Sequence, residues 1–269
     1  MRLPNHLENS IRCGSVVPVV GPGLTPTPDI PELLEQAATW LHANLEVNES
    51  RNINTLCQHR EFGEALRIAR RTIDRWTDFL DERYMGFEHW QEASASRALR
   101  PVWRLGSPLV VTTAYDMWIE HICPDSSPES YVVPRSSAPW LTRRQSVWHI
   151  NGVATDPESM VFDCLADESL VHPTPSYERV LRAFWSLMDS RTLVFFGFST
   201  DDFPSRQLTW LLDRFGAVRG PHYVLADFKL PQLAKTSVRF IPIDALGGGL
   251  AAVLDAFAHL HNTTSSGHG

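Results

Sequence analysis

The sequence predicts an α/β protein in which helices cover both faces of a mainly parallel sheet. The apolar run Val16–Val20 leads directly into Gly21 and Gly23, as expected for a buried parallel strand followed by a tight turn. A second run, Thr192–Phe196, lacks the polar alternation of a half-buried strand. Along the chain such segments alternate with stretches of helical periodicity, which is typical of parallel strands joined by helices. The predicted class is a Rossmann-like sheet with an additional helical layer or insertion.

Seven strands are predicted, over residues 16–20, 109–113, 131–133, 146–150, 192–196, 222–226 and 238–243. Helical periodicity covers residues from about 2 to 14, 33–41, 61–83, 93–105, 117–122, 176–188, 208–215 and 250–260. Ser176 is the expected N-cap of its helix, and the polar stretch 48–52 is expected to be a break between helices. We expect one domain over residues 1–262, with a helical layer or insertion over 30–105 and a flexible tail over 263–269.

Composition favours one soluble domain. The 269 residues are 43% hydrophobic and include 9 Trp and 13 Phe, enough for a large core. The net charge of -7 and the scattered arginines disfavour direct nucleic-acid binding. No apolar run has the length of a signal peptide or a membrane span, so we expect a cytoplasmic protein that does not contact a membrane.

The four cysteines do not form a recognisable metal or disulfide pattern. Cys13, Cys57, Cys123 and Cys164 are far apart and include no C-x-x-C pair. We therefore expect small buried thiols rather than a zinc ribbon or a disulfide framework. The histidines share no metal-ligand spacing either, so no metal is predicted.

Small and polar residues follow four of the predicted strands. They are Gly21 with Gly23, Thr112 with Thr113, Asn151 with Gly152, and Gly197 with Ser199 and Asp201. The carboxyl ends of parallel strands share one edge of a sheet, where ligands bind. At Gly21 and Gly23 the main chain could approach a phosphate closely, although an ordinary tight strand-to-helix turn explains the same two glycines. Together, the four clusters predict a site of nucleotide size.

Four motifs in order make the chain resemble the sirtuin-like domains of bacterial antiviral defence effectors, relatives of the silent-information-regulator deacetylases. The resemblance runs from about residue 16 to 243. The motifs are Gly21-Pro22-Gly23-Leu24-Thr25, Thr112-Thr113-Ala114-Tyr115-Asp116, His149-Ile150-Asn151-Gly152-Val153 with the tail Pro157-Glu158-Ser159-Met160-Val161, and Gly197-Phe198-Ser199-Thr200-Asp201.

This resemblance implies NAD as the ligand and cleavage of its nicotinamide–ribose bond with water as the acceptor. The deacetylase branch carries two C-x-x-C pairs for zinc, which this chain lacks, so lysine deacylation is the less expected activity. Because effectors of this kind depend on assembly or on a sensor, the resemblance also implies a homo-oligomer and a separate sensor or partner protein.

The motifs imply a role for each matching residue. The phosphates would be held by Gly21, Gly23, Leu24 and Thr25, and the cofactor-binding motifs also include Thr113, Tyr115 and Gly197. The ribose hydroxyls would be bonded by Ser199 and Asp201, and the adenosine ribose would be met by Asp227. Asp116 could stabilise the ribosyl cation or polarise water, but an Asp after a strand is also a common helix cap.

Two positions depart from the family pattern. Ala114 stands where the family has the Asn that places the attacking water, and Asn151 stands where it has the catalytic His. Three explanations are open: a relative that binds NAD or ADP-ribose without hydrolysis, an active variant with a shifted constellation, or an introduced alanine. The shifted constellation would use His149, since strand alternation puts His149 and Asn151 on one face. A buried structural histidine explains His149 equally well.

Overall fold

The computed structural model describes residues 3–25, 27–84, 99–124, 128–133, 144–161, 174–198, 207–208, 210–211, 213–214, 218–226, 238–242 and 249–265. Within these ranges the strands are Val16–Val20 (β1), Leu109–Thr112 (β2), Glu129–Tyr131 (β3), Ser146–His149 (β4), Thr192–Phe196 (β5), His222–Ala226 (β6) and Val238–Pro242 (β7). The helices are Asn5–Arg12 (α1), Ile30–Ala43 (α2), Val47–Gln58 (α3), Phe62–Thr72 (α4), Trp76–Tyr84 (α5), Trp118–His121 (α6), Pro175–Ser190 (α7) and Leu250–Ser265 (α8).

The seven strands form one sheet in the order β3-β4-β2-β1-β5-β6-β7, and every described pairing is parallel. The predicted Rossmann-like α/β class is therefore confirmed. The order reverses at β1, which has β2 and β4 on one side and β5, β6 and β7 on the other. In sheets of this kind the ligand crevice opens beyond the carboxyl ends of the strands at such a reversal, here between β1 and β5.

Strand β1 shows how the sheet fills two cores. Val17 and Val19 pack on the face covered by α7, whereas Val16 and Val20 pack on the face covered by α1, α6 and α8. All five residues of β1 are buried, which explains why the segment has no polar alternation. Pro18 is tolerated in this central strand because the register with β2 begins only at Val19.

Helices α2 to α5 form the predicted helical layer, which has a core of its own. Leu33, Leu41 and Ile53 are fully buried there, together with Leu80. The sheet domain contributes Tyr115, Ala154 and Met160 to the same cluster. The layer therefore packs directly on two of the motif segments that follow β2 and β4.

The helical layer also corrects two predictions. The polar stretch 48–52 lies inside α3, because Ser50 and Ile53 face the core of the layer while Arg51 and Asn52 face solvent. The helix predicted over 61–83 is divided into α4 and α5. Its break falls at Ile73, which is extended (ψ 99°) and 1% exposed, in a Thr-Ile-Asp sequence of weak helix formers.

Other boundaries differ by a few residues. Thr174, not Ser176, caps α7 by accepting the Tyr177 N–H, and β3 lies two residues earlier than predicted. Part of the helix predicted over 93–105 is a 3₁₀ turn over residues 100–104, with Pro101 at its second position. Residues 93–98 lie outside the described residues.

Helix α8 extends through residue 265, so the predicted tail is helical over 263–265, while 266–269 lie outside the described residues. The chain has no glycine or proline between 250 and 265 to stop the helix.

Only parts of the predicted 208–215 helix are described. Cys13 is exposed, because it follows the last turn of α1, and Cys57 and Cys123 are half-buried, so the prediction of buried thiols is wrong for these three. Within the described ranges, no helix is long and apolar enough to cross a membrane.

Leu45 offers a test of how α2 ends. The Glu46 N–H donates to the Leu41 carbonyl (2.9 Å) and the Leu45 N–H to the His42 carbonyl (3.2 Å), which is the hydrogen-bond pattern of a Schellman cap. Leu45 has a φ of +70° and its side chain is 86% exposed. Because a Cβ is disfavoured there, we expect Leu45→Gly to be about 1 kcal/mol more stable than Leu45→Ala in urea unfolding. Equal stabilities of the two variants would contradict this account of the cap.

Candidate active site at the carboxyl ends of the strands

The centre of the candidate site is the contact between the turns that follow β1 and β5. The Gly21 N–H donates to the Phe196 carbonyl (2.7 Å), and the Gly23 N–H donates to the Gly197 carbonyl (3.1 Å). A Cβ at Gly21 would lie 2.4 Å from the Gly197 oxygen, and one at Gly23 would lie 3.0 Å from it. Gly197 itself has a φ of +71°. The three glycines are thus required by close backbone packing at the reversal of strand order.

This contact changes the interpretation of the first motif. The N–H groups of Gly21 and Gly23 are bonded to the β5 side, and those of Leu24 and Thr25 donate to Gly21 (3.4 Å) and Pro22 (3.2 Å) within the 3₁₀ turn Pro22–Leu24. The expected cradle of free N–H groups is therefore not open in this conformation. The space that side chains would take at Gly21 and Gly23 is filled as well, because a Cβ at either position would meet the Gly197 carbonyl.

The second motif places a buried carboxylate beside this turn. Asp116 is 1% exposed, accepts the Thr27 hydroxyl (2.5 Å) and accepts the Trp118 N–H (2.8 Å) at the start of α6. Thr27 in turn bonds Thr25 (2.9 Å). Burial raises the pKa of Asp116, although the hydrogen bonds from Thr27 and Trp118 act in the opposite direction. Asp116 therefore links the end of β2 to the turn after β1. It also caps α6, which is the alternative role given for it in the sequence analysis.

Ala114 and its neighbours hold the same strand end. Ala114 is 2% exposed, and the Thr113 N–H donates to the Val20 carbonyl (3.0 Å). The Tyr115 hydroxyl donates to the Val161 carbonyl (2.7 Å), while the Tyr115 carbonyl accepts the Ala154 N–H (2.8 Å). Tyr115 thereby connects the second motif to the loop that follows the third.

His149 is a buried structural histidine. It is 0% exposed, its Nε2 lies 2.7 Å from Glu120 Oε1, and its Nδ1 lies 3.4 Å from the Ala114 carbonyl oxygen. Both ring nitrogens face acceptors, which suits an imidazolium. Burial alone would lower the pKa of His149, but the charge and hydrogen bond of Glu120 raise it overall. Burial opposes the ionised form of Glu120 as well, yet His149 lowers its pKa.

The idea that His149 and Asn151 share one strand face is not supported. Strand β4 ends at His149, and Asn151 lies in the turn beyond it, so strand alternation does not apply. His149 contacts Glu120 on α6, whereas Asn151 Oδ1 contacts Gln207 (2.8 Å) and Tyr177 on α7 (3.4 Å). The arrangement favours the structural role of His149 over the catalytic one.

The third motif and its tail fold against each other. Gly152 has a φ of +89°, and a Cβ there would lie 2.3 Å from the Ser159 oxygen. The Val161 N–H donates to the Asn151 carbonyl (2.9 Å), and the Ser159 hydroxyl accepts the Val153 N–H (3.1 Å). Gly152 is therefore needed for the turn that presents Asn151.

Several residues of this network are not apparent from the sequence. None of the four motifs includes Thr27, Glu120, Tyr177 or Gln207. Of the predicted site residues, Ser199, Asp201 and Asp227 lie outside the described residues. In the whole described part of the chain, no group of three His, Cys, Asp or Glu residues could hold a metal ion.

A cavity of about 370 Å³ lies between the α4–α5 junction and the Pro157–Ser159 turn. Arg70, Arg75 and Trp76 line it, and none of the predicted site residues does. Arg70 pairs with Glu158 (2.8 Å) across the cavity mouth, where both side chains are exposed. Arg75 is paired as well, with Asp78, so both of these arginines have carboxylate partners.

Comparison with known proteins identifies a family for part of the chain. Residues 108–239 match the family described as "SIR2-like domain", a match that includes β2, β4, β5 and β6 with their motifs. The chain therefore contains a SIR2-like domain, and the resemblance to sirtuin-like domains is confirmed.

One relative is the uncharacterized protein y4cA of Sinorhizobium fredii (strain NBRC 101917 / NGR234). It is 28% identical over 160 residues, which cover 53% of this chain and 13% of that protein. The chain thus corresponds to a small part of this longer relative.

The Gly21 contact can be tested by unfolding. Gly21→Ala places a Cβ against the Gly197 carbonyl, and overpacking of this kind costs roughly 1–3 kcal/mol. Gly249→Ala is the matched control, since a Cβ at Gly249 meets nothing within 4 Å. We expect the first variant alone to lose stability in urea titrations. A loss of the same size in both would show that the close approach at Gly21 is not a constraint.

The His149–Glu120 pair predicts a pH dependence. The folded-state pKa of His149 lies above 6.5, so its stabilisation is fully present below pH 6.5 and is lost as the pH rises through the raised pKa. The pKa of Glu120 lies below 4.5, so its stabilisation is lost as the pH falls through that lowered value.

The advantage of the native chain over Glu120→Gln in unfolding free energy should therefore be largest at pH 4.5–6.5. It should decline at alkaline pH and in strong acid. Subtracting the variant cancels shared contributions, such as that of buried His222, whose pKa is lowered to about 4. A difference that does not change between pH 5.5 and pH 10 would contradict a charged pair.

Proposed function

We propose that this chain binds NAD or ADP-ribose along the carboxyl ends of β5, β1, β2 and β4. The observation that carries the proposal is the interlocked backbone of Gly21, Gly23 and Gly197 at the reversal of strand order. Because these glycines let the two turns pack closely, the carboxyl ends of β1 and β5 meet in the place where such sheets bind nucleotides. The SIR2-like match supports NAD as the dinucleotide, because domains of this family use NAD as a substrate.

The residues present favour holding the ligand over cleaving it. Ala114 offers only a methyl group where the family has an amide that positions water. Asn151 cannot take up a proton, and His149 is committed to Glu120. A general acid–base group contributes about 10²–10⁴-fold to a rate. We therefore propose a nucleotide-binding module whose hydrolytic activity is low in the native chain.

NAD hydrolysis to nicotinamide and ADP-ribose is the second candidate, and Asp116 favours it. This carboxylate is retained in its motif, is buried beside the β1 turn and carries two hydrogen bonds that hold it in place. Cleavage of the nicotinamide–ribose bond develops positive charge on the ribose, which a fixed carboxylate can stabilise. In this candidate, the reaction proceeds by electrostatic stabilisation without a histidine base.

The resemblance extends the proposal to an antiviral defence role in the cytoplasm. In that role, a homo-oligomer or a separate sensor protein would be the trigger. The relative y4cA supports this role in one respect, because the sequence related to this chain makes up 13% of a much longer protein. Phage plating on cells with and without the full-length gene product, alongside its size in solution, tests this part of the proposal.

The binding proposal and the hydrolysis candidate separate in one assay. We expect calorimetry to detect NAD binding to the native chain and chromatography to recover the NAD intact. Ala114→Asn together with Asn151→His restores the family residues and should raise nicotinamide release by about 10²-fold or more, with each single change giving less. Asp116→Asn in the restored chain is the control that should remove the gain.

Rapid nicotinamide release by the native chain would favour the second candidate. Absence of NAD and ADP-ribose binding in the native chain and in the restored chain alike would overturn the proposed function.

A further inference from the structure

His149 lies between two hydrogen-bond acceptors that belong to the segment after β2. Its Nδ1 is 3.4 Å from the Ala114 carbonyl oxygen in the turn after β2, and its Nε2 is 2.7 Å from Glu120 Oε1 in α6. The His149 side chain is 0% exposed and that of Glu120 is 9% exposed, so bulk water does not take the place of either partner. These two contacts join the end of β4 to the turn and to the helix that follows it.

The same turn is held at its other end by Asp116. Asp116 Oδ1 accepts the Trp118 N–H (2.8 Å) at the start of α6. The contacts therefore form a closed ring, because α6 also carries Glu120, which contacts His149, and His149 contacts Ala114. The ring encloses the turn at the carboxyl end of β2, on the rim where the nucleotide is proposed to bind.

The number of protons on His149 decides whether this ring is closed. An imidazolium has an N–H on each ring nitrogen and can donate to both acceptors, whereas a neutral imidazole has only one N–H to donate. A buried carboxylate is the stronger acceptor, and leaving its charge without a partner is costly. The remaining proton therefore stays on Nε2, opposite Glu120. The Ala114 carbonyl loses its donor and then faces the lone pair on Nδ1.

Loss of the proton also changes the charge beside the site. The His149–Glu120 pair has no net charge while the imidazole is protonated, and it has one net negative charge afterwards. An additional buried negative charge opposes the binding of an anionic diphosphate. Within the described residues, the charged groups that face His149 are Glu120 from α6 and Asp116 from the turn, and both favour the imidazolium. The Ser130 hydroxyl of β3 favours the ionised form of Glu120.

We propose that the His149–Glu120 pair is a proton-dependent support of the nucleotide site, whose affinity for the nucleotide falls when His149 loses its proton. The two residues are positioning residues, because they act through the Ala114 carbonyl and through the charge beside the site. This inference rests on the proposed function and adds a form of regulation to it. Because Glu120 raises the pKa of His149 above the ordinary value, the loss of affinity occurs as the pH rises.

The test measures ADP-ribose binding to the full chain by calorimetry on either side of the His149 titration. The midpoint is read from the ring signals of His149 in nitrogen–proton spectra, identified by their loss in His149→Gln. We expect the affinity about one pH unit above the midpoint to be roughly five- to tenfold lower than one unit below it, since only about a tenth of the chains then keep the proton. The diphosphate of ADP-ribose keeps its charge throughout this range.

Glu120→Gln separates this effect from other titrations. The new amide can donate its N–H₂ to Nε2 of a neutral His149, which leaves the Nδ1 proton for the Ala114 carbonyl. The ring is then closed and the pair is uncharged, as in the native chain below the midpoint. We expect the ADP-ribose affinity of this variant to be within about threefold of the native value there and to stay constant at higher pH. His59→Gln removes an exposed imidazole and should leave the native profile unchanged.

The coupling also has a readout that a merely structural pair would not give. By linkage, ADP-ribose should move the midpoint of the His149 titration in the native chain to higher pH. Thermal unfolding at each pH gives the folded fraction to which the affinities refer, and it identifies any variant that is misfolded.

Equal affinities on the two sides of the midpoint, or an equal fall in the native chain and in Glu120→Gln, overturn the inference while leaving the proposed function intact. A His149 ring that does not titrate below about pH 10 overturns it as well. A native chain that binds no ADP-ribose at any pH overturns both.

Discussion

The structure depends on one close backbone contact, between the turn after β1 and the turn after β5. Gly21 and Gly23 both donate to carbonyls on the β5 side, and no Cβ fits between Gly21 and Gly197. This contact lies where the strand order reverses, so one constraint both closes the centre of the sheet and shapes the crevice beyond it. Packing at the centre of the sheet therefore requires glycine at these positions.

Around that contact, buried polar groups hold the strand ends in register. Asp116 joins the end of β2 to Thr27, and Glu120 joins α6 to His149 at the end of β4. A buried charge without its partner is strongly destabilising, so these links are stable only as complete pairs. Asp116 and His149 thus have structural partners, and the positions occupied by Ala114 and Asn151 carry no side chain that can take up a proton. This is why we favour binding over turnover.

The sequence predicts the sheet well because its evidence is local. Strands β1, β5 and β6 have the predicted bounds, since a short, mainly apolar run without polar alternation identifies a fully buried parallel strand. The helical layer is predicted less well, because the polar stretch in α3 is explained only by Ser50 and Ile53 facing a core formed by other helices. The site is predicted as a set of residue types and strand ends. Its side-chain partners, such as Thr27 for Asp116 and Gln207 for Asn151, are 89 and 56 residues apart and depend on the assembled fold.

The most direct test of the central claim is a crystal structure of the chain soaked or grown with ADP-ribose. The account predicts diphosphate density against the backbone of Gly21 and Gly197, with the rest of the ligand along the carboxyl ends of the neighbouring strands. Density for the diphosphate in the cavity between the α4–α5 junction and the Pro157–Ser159 turn, with the strand ends empty, would contradict it.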